Sequence, residues 1–236
     1  REEIPLNYLY KSMAKLIKQI KPRAFIFENV KGLLHSRWNA KGEKGEIWKD
    51  VFKTFQNLDD YFVDSSLLYA KDYGVPQNRD RLFIVGHMGG FEFPSPQNEI
   101  FSVQDALGNA AKYAPKDARY LSKAEDKYIK SYEEKCKLKT PRDLHLDRPS
   151  RTLTCRNLSG STSDMIRLVM SDGRRRKLRV SEASRLQSFP DWFKFSGSQA
   201  EAFEQIGQAV SPVFAYQLAQ AVSRYLEQSQ SIEAVA

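Results

Sequence analysis

The sequence predicts an α/β fold in which part of a doubly wound sheet is followed by a smaller, irregular module. Two observations lead there. Through the first 88 residues, short apolar runs alternate with segments of helical period, the pattern of βα units, which predicts parallel strand pairing. From Gly89 onward that pattern dissolves into polar stretches broken by proline and glycine. The expected organisation is an α/β part over 1–88, an irregular part over 89–190, and helices returning to the first part over 191–236. Only three strands are visible in the first part, whereas a doubly wound sheet usually has about five or more.

The elements follow from local patterns. Leu9, Met13, Ile17 and Ile20 recur at helical spacing over residues 7–20, and Lys21-Pro22 ends that helix because proline disfavours helix at the residue before it. Ala24 to Phe27 has no polar alternation and reads as a strand covered on both faces. A polar loop over 31–46 precedes a helix over Ile47 to Leu58, then strands over Tyr61 to Leu68 and Arg81 to Gly86. In the irregular part, a helical patch lies near Ala124 to Lys135, and a hairpin joins Met165–Met170 to Lys177–Val180 through Ser171-Asp172-Gly173. Ser181 reads as a helix cap ahead of Glu182 to Gln187. Gln199 to Ile206 and Pro212 to Leu226 read as two helices broken at Gly207.

Composition narrows the functional classes. A hydrophobic fraction of 41% with 12% aromatic predicts a folded chain with a real core. No apolar run approaches the roughly 20 residues that span a bilayer, and Arg1-Glu2-Glu3 lacks a signal-peptide pattern, so a cytoplasmic location is expected. Cys136 and Cys155 are too few for a disulfide framework, and His35, His87 and His145 are too scattered for a metal site. The net charge of +8 is concentrated: residues 139–187 hold twelve Lys or Arg against five Asp or Glu. Such a stretch reads equally as a polyanion-binding surface or as a solvated basic loop.

Four segments carry candidate chemistry. Glu28-Asn29-Val30 places a carboxylate at the end of a buried strand, where open α/β sheets put their sites. Gln77, Arg79 and Arg81 alternate at period two, so their side chains are expected on one strand face, where arginines are costly to bury without a polar partner. The third segment runs from Arg176 through Glu182 to Arg185-Leu186-Gln187 and Phe189-Pro190, and reads as a buried Glu–Arg network stapling subdomains. The fourth is Gln205-Ile206-Gly207-Gln208-Ala209-Val210-Ser211-Pro212.

In this order and spacing the segments resemble the DNA cytosine-5 methyltransferase family, over residues 1 to about 228. The resemblance implies a Rossmann-like, S-adenosylmethionine-dependent methyltransferase sheet, partial here, with an irregular target-recognition domain. It implies methyl transfer from S-adenosylmethionine to carbon 5 of a cytosine flipped out of a specific double-stranded DNA site. Glu28, Arg79 and Arg81 would be the catalytic residues, with Glu28 on the ring nitrogen and exocyclic amine, Arg81 on the carbonyl oxygen, and Arg79 supporting the pocket or a phosphate. Gln208 and Val210 would contact the cofactor. Thr152 and Leu153 look like the family's Thr-Leu signature near the base, while Arg156 and Asn157 suit base edges and Ser159 to Ser163 suit phosphates.

The sequence also departs from the family. The nucleophilic Cys of a Pro-Cys-Gln loop and a Phe-x-Gly-x-Gly cofactor loop belong before Glu-Asn-Val, and only 27 residues precede Glu28. Arg1, Leu6 and Tyr8 faintly resemble the segment after the catalytic loop, so the chain is expected to begin mid-domain. Gln208 stands where Asn is usual, and Ser211 where Pro is common. Three readings stay open: a fragment of a longer enzyme, one subunit of a split enzyme whose partner carries the nucleophile, or a non-catalytic, degenerate DNA-binding relative. A tRNA-methylating branch is the runner-up within the same chemistry.

Overall fold

The computed structural model describes residues 8–138, 141–160 and 163–233. The chain forms two compact units. One comprises Arg1–Tyr69, Asp80–Ser95 and Gln217–Ala236, and the other Ala70–Arg79 and Pro96–Tyr216. These divisions cut the chain elsewhere than the expected 1–88, 89–190 and 191–236. The differences are the segment 70–79, which leaves the first unit, residues 89–95, which join it, and residues 191–216, which pack with the second.

The first unit is built on α1 (Leu9–Ile20), β1 (Ala24–Val30), α2 (Glu46–Gln56) and β2 (Phe62–Tyr69). After a two-residue strand of the second unit, β3 (Gln77–Asn78), the chain returns as β4 (Asp80–His87). The sheet order is β1-β4-β2, and β4 runs antiparallel to both neighbours, from Ala24↔His87 to Val30↔Arg81 and from Phe62↔His87 to Tyr69↔Asp80. The expected parallel pairing is therefore corrected. β1 and β2 do run the same way, but the returning strand enters between them and takes both ladders.

Tyr10, Ala14 and Ile17 of α1 and Ile47, Val51 and Phe55 of α2 bury against Phe25, Leu82 and Ile84. The helix α1 ends at Lys21, which takes the left-handed conformation (φ 48°) ahead of Pro22, as the sequence predicts. The Phe25 ring lies where a Cβ on Gly86 would sit, 1.9 Å away, so only glycine lets β4 approach it. β1 is not covered on both faces, because Ile26, on the face opposite Phe25, is 36% exposed.

The second unit contains α3 (Val103–Leu107), α4 (Lys123–Lys135), β5 (Ser150–Arg151), α5 (Cys155–Ser159), β6 (Arg167–Val169), β7 (Arg175–Lys177), α6 (Val180–Leu186), α7 (Gln199–Gln208) and the start of α8 (Pro212–Glu233). β6 and β7 form the expected hairpin, with Gly173 at φ 77° supplying the turn. Val103, Leu107, Leu153, Leu168, Leu186, Phe203 and Ile206 form its apolar core. The cap of α6 is not Ser181. The cap is Arg179 and the helix starts two residues earlier than expected, at Val180, with the Glu182 carboxylate closing it by accepting the Arg179 N–H at 2.9 Å. Nor does Gly207 break a helix. α7 continues through it to Gln208, and a Cβ at Gly207 would lie 2.2 Å from the backbone nitrogen of Cys155. The glycine is there for close helix–loop contact.

The basic stretch is largely neutralised within this unit. Arg176, fully buried, meets both Glu182 carboxylate oxygens at 2.7 and 2.8 Å and also donates to the Ala110 carbonyl. That is the expected buried Glu–Arg network, contained within one unit. Arg167 meets Glu133 at 2.6 Å and Asp143 at 2.5 Å, and Arg175 meets Asp126, Glu133 and Asp143. Backbone and hydroxyl donors of Ser122, with Lys177, hold the Glu125 carboxyl below its usual range, and Lys130 and Arg175 do the same for Asp126. Lys177, Arg142, Arg151, Arg148, Arg174, Arg179 and Arg185 each hold a carboxylate too. Lys139 lies outside the described residues, and Arg156 makes no ion pair among them.

Candidate functional site

β1 delivers Glu28, and β4 delivers Arg81 to the same sheet face on a diagonal of the ladder, since Glu28 pairs with Phe83 and Arg81 with Val30. Arg81 Nε meets Glu28 Oε1 at 2.8 Å. Arg81 is the more enclosed partner, with 11% of its side chain exposed against 31% for Glu28. Burial pulls the Arg81 guanidinium below its ordinary range, opposed by the Glu28 carboxylate and then Asp80. Arg81 Nη1 also donates to its neighbour's carbonyl at Asp80, and the Asp80 carboxylate holds Lys31 Nζ at 3.1 Å. The Asn29 amide oxygen accepts the Val30 N–H, closing the strand end. The result is a partly exposed carboxylate fixed by an enclosed cation, an acceptor and donor side by side for a planar polar ligand. Lys31 and Asp80 carry no role in the sequence reading, although Lys31 directly follows one marked segment and Asp80 lies inside another.

Arg79 behaves differently. It is buried, and its guanidinium is spent on the carbonyls of Leu153 (2.8 Å), Gly207 (3.0 Å) and Ala209 (2.9 Å). Of the two roles expected of Arg79, supporting the pocket or a phosphate, the phosphate does not fit its buried Nη1 and Nη2, which face backbone carbonyls and hold loops. Gln77, also buried, accepts the Leu153 N–H and donates to Gln187 and the Leu186 carbonyl.

The 152–159 segment divides in the same way. Leu153 is a fully buried core residue, so it is not a surface contact for DNA. Asn157 is buried too, and its amide accepts from Thr154 N–H at 2.8 Å and donates to the Thr152 carbonyl at 2.9 Å, closing the start of α5. Both of its polar ends are used, which corrects its assignment to a base edge. Thr152 is partly exposed with its hydroxyl on the Asn78 carbonyl, Arg156 is exposed, and the Ser159 hydroxyl back-bonds to Cys155. Thr152, Arg156 and Ser159 are the three that can meet a ligand. The Ser161 and Thr162 part of the expected phosphate-binding run lies outside the described residues.

Gln208 is exposed at the end of α7 with its amide on Glu204 at 2.8 Å, and Val210 is half-buried. Ser211 between Val210 and α8 is fully buried, and its hydroxyl has no hydrogen-bond partner among the described residues. Cys136 is exposed beyond α4, and Cys155 is half-buried at the first position of α5.

The family model for C-5 cytosine-specific DNA methylases matches residues 2–224. The chain belongs to that family. Among curated relatives, the type II methyltransferase M.AplI of Arthrospira platensis is 43% identical over 217 residues, covering 91% of this chain and 61% of that protein. The type II methyltransferase M.PspPI of a Psychrobacter species is 30% identical, covering 91% and 57%. The chain thus spans about six-tenths of the length of these relatives. Among solved structures, an Entamoeba histolytica methyltransferase matches with a TM-score of 0.68 at 14% identity, covering 96% of this chain and 70% of that one. The Dnmt2 methyltransferase of S. pombe matches at 0.58 and 15% identity, covering 90% and 70%. Both likenesses concern the fold, the Rossmann-like methyltransferase sheet that the resemblance implied, here in a three-stranded part. No helix among the described residues is long and apolar enough to cross a membrane.

Proposed function

We propose that this chain is the base-holding and target-reading part of a type II DNA cytosine-5 methyltransferase, acting on a flipped cytosine in a specific duplex site. The observation that supports it most is the Glu28–Arg81 pair at 2.8 Å on adjoining strands of the apolar unit. A cytosine offers a ring nitrogen and an exocyclic amine beside a carbonyl oxygen. The accessible Glu28 carboxyl can accept from the amine and share a proton with the ring nitrogen, while Arg81 can donate to the carbonyl. Proton help of this kind is worth roughly 10²–10⁴-fold. The base must leave the stack to reach such a pair. Thr152, Arg156 and Ser159 would make the DNA contacts that the recognition unit contributes, in a cytoplasmic setting.

S-adenosylmethionine would supply an electrophilic methyl group. The residues here fit a minor share of its contacts: the Gln208 amide, the Val210 side chain and the orphan Ser211 hydroxyl follow one another ahead of α8, with the exposed Glu204 carboxylate beside Gln208. The nucleophile is a second gap. Neither Cys136 nor Cys155 sits in a Pro-Cys-Gln context, and both belong to the recognition unit rather than to the unit bearing Glu28. Carbon 6 of the cytosine is therefore attacked by a thiolate from outside these 236 residues, and the chain alone is inactive.

Transfer of tritium from labelled S-adenosylmethionine to duplex DNA tests this. The expected result is no transfer by the chain alone and transfer once a Pro-Cys-Gln-bearing polypeptide of the family is added, lost on Glu28→Gln. Transfer by the isolated chain would refute the missing nucleophile. Sequence-specific DNA binding without transfer under any complementation would instead favour a non-catalytic DNA-binding relative.

A further inference from the structure

Within the second unit, three buried side chains join two helix-end segments that share no strand ladder, one entering α5 and one leaving α7. Arg79 donates to Leu153 of the first segment and to Gly207 and Ala209 of the second. Gln77 accepts the Leu153 N–H at 2.9 Å and donates at 2.5 Å to Gln187, which in turn donates to the Ala209 carbonyl at 2.7 Å. The path Leu153–Gln77–Gln187–Ala209 thus runs parallel to the direct bridge through Arg79. Gly207 removes the remaining slack, because its bare Cα lets α7 rest on the Thr154–Cys155 backbone. Asn157 fixes Thr152 and Thr154 within the first segment. A shift of either segment leaves buried donors or acceptors of the other unpaired, which is costly.

We propose that Gln77, Arg79 and Gln187 are positioning residues that make segments 152–156 and 207–210 open and close as one body. The linkage itself stands on geometry alone. Its meaning rests on the function proposed above, where the first segment meets DNA and the second the cofactor. A ligand that orders one segment then orders the other, and the effect is reciprocal. The cofactor-contacting backbone would be set by DNA seating on a loop in the same unit, so site recognition would carry over into cofactor grip.

Hydrogen exchange of the full chain, followed by mass spectrometry, tests this through cross-effects. Gln187→Glu keeps the acceptor facing Gln77 but loses the bond to Ala209. Gln77→Glu keeps the acceptor for Leu153 but loses the donor to Gln187. The expected result is that Gln187→Glu speeds exchange about 10- to 100-fold not only at 207–210 but also at 152–155. Gln77→Glu should speed 207–210 likewise. The β6–β7 hairpin, in the same unit but off this path, should keep its rate. Acceleration confined to the segment that lost its own bond would overturn the linkage. Equal acceleration of the hairpin would also overturn it, showing that these residues merely hold up the unit. With a duplex DNA added, wild-type protection at 152–156 should extend to 207–210, and in Gln187→Glu it should stop at 156. Absence of protection anywhere would count against the DNA reading, while the ligand-free cross-effect still decides the linkage.

Discussion

The two compact units of this chain have different interiors. The sheet unit closes over aromatic and aliphatic side chains, with Phe25 and Phe27 each packed on Phe55 at about the same ring distance, 5.3 and 5.2 Å. In the second unit, three of the largest fully buried side chains are Arg79, Arg167 and Arg176. Charge therefore means different things in the two. In the apolar unit, Glu28 and Arg81 form a partly open pair at a strand end, and structure alone gives little reason for it. In the second unit arginine is a framing material, buried against carboxylates and carbonyls, so basicity there is poor testimony for a ligand.

The contrast can be broken by experiment. The largest effect belongs to Glu28→Gln in a complemented, active assembly: methyl transfer should fall by about 10²–10⁴-fold. The melting temperature should move by only a few degrees, because an amide oxygen still faces Arg81. A collapse in stability that tracked the activity loss would make Glu28 a framing residue after all. Next is Glu182→Ala, which strands the buried Arg176 and should cost about 3–5 kcal/mol in denaturant unfolding. Replacing both partners, Arg176→Met with Glu182→Leu, should recover most of that loss. Gly207→Ala forces a Cβ against the Cys155 backbone and should cost about 1–3 kcal/mol, with Gly32→Ala as a comparison whose Cβ would meet only the Val30 side chain, at 3.7 Å.

Acid should separate the units more gently. Glu125 and Asp126 have carboxyls held below their ordinary values by Ser122, Lys130, Lys177 and Arg175. A depressed folded-state value gives stability that is fully present above the unfolded range near pH 4 and is lost as pH falls through the folded values. Exchange protection of α4 and the β6–β7 hairpin should therefore decline below about pH 4 before that of α2 and β4. The smallest expected effect is that of Arg156→Ala. It should leave stability within about 0.5 kcal/mol while weakening DNA binding and flattening its salt dependence by about one phosphate contact.

Much of this was legible in the sequence, for reasons specific to each residue. Leu82-Phe83-Ile84-Val85 announces a buried strand by composition alone, and Glu28 and Arg81 were marked by their place at strand ends. The antiparallel ladders were not legible, because helix-and-strand alternation does not say where a returning strand inserts. Asn157 is closed by local partners, Thr152 and Thr154, at the spacing of a helix cap, a signal that competes with its reading as a base contact. The backbone partners of Arg79 lie 74 and 128 positions away, and no local window reveals them. The charge of 139–187 misled in the same manner. Five of the ten carboxylates that neutralise it, Asp117, Glu125, Asp126, Glu133 and Asp191, lie outside that window.

That internal neutralisation bears on how the protein would experience salt. Duplex DNA binding is driven in part by counterions shed from phosphates, about 0.9 per phosphate neutralised. An arginine that leaves an aspartate for a phosphate frees one counterion from DNA, but the abandoned aspartate draws another from solution. The exchange is close to even. Of the eleven described cations in that stretch, ten begin in such pairs, and Arg156 does not. A chain that looks like a polyelectrolyte on paper would then titrate against salt as though it carried only a few free charges.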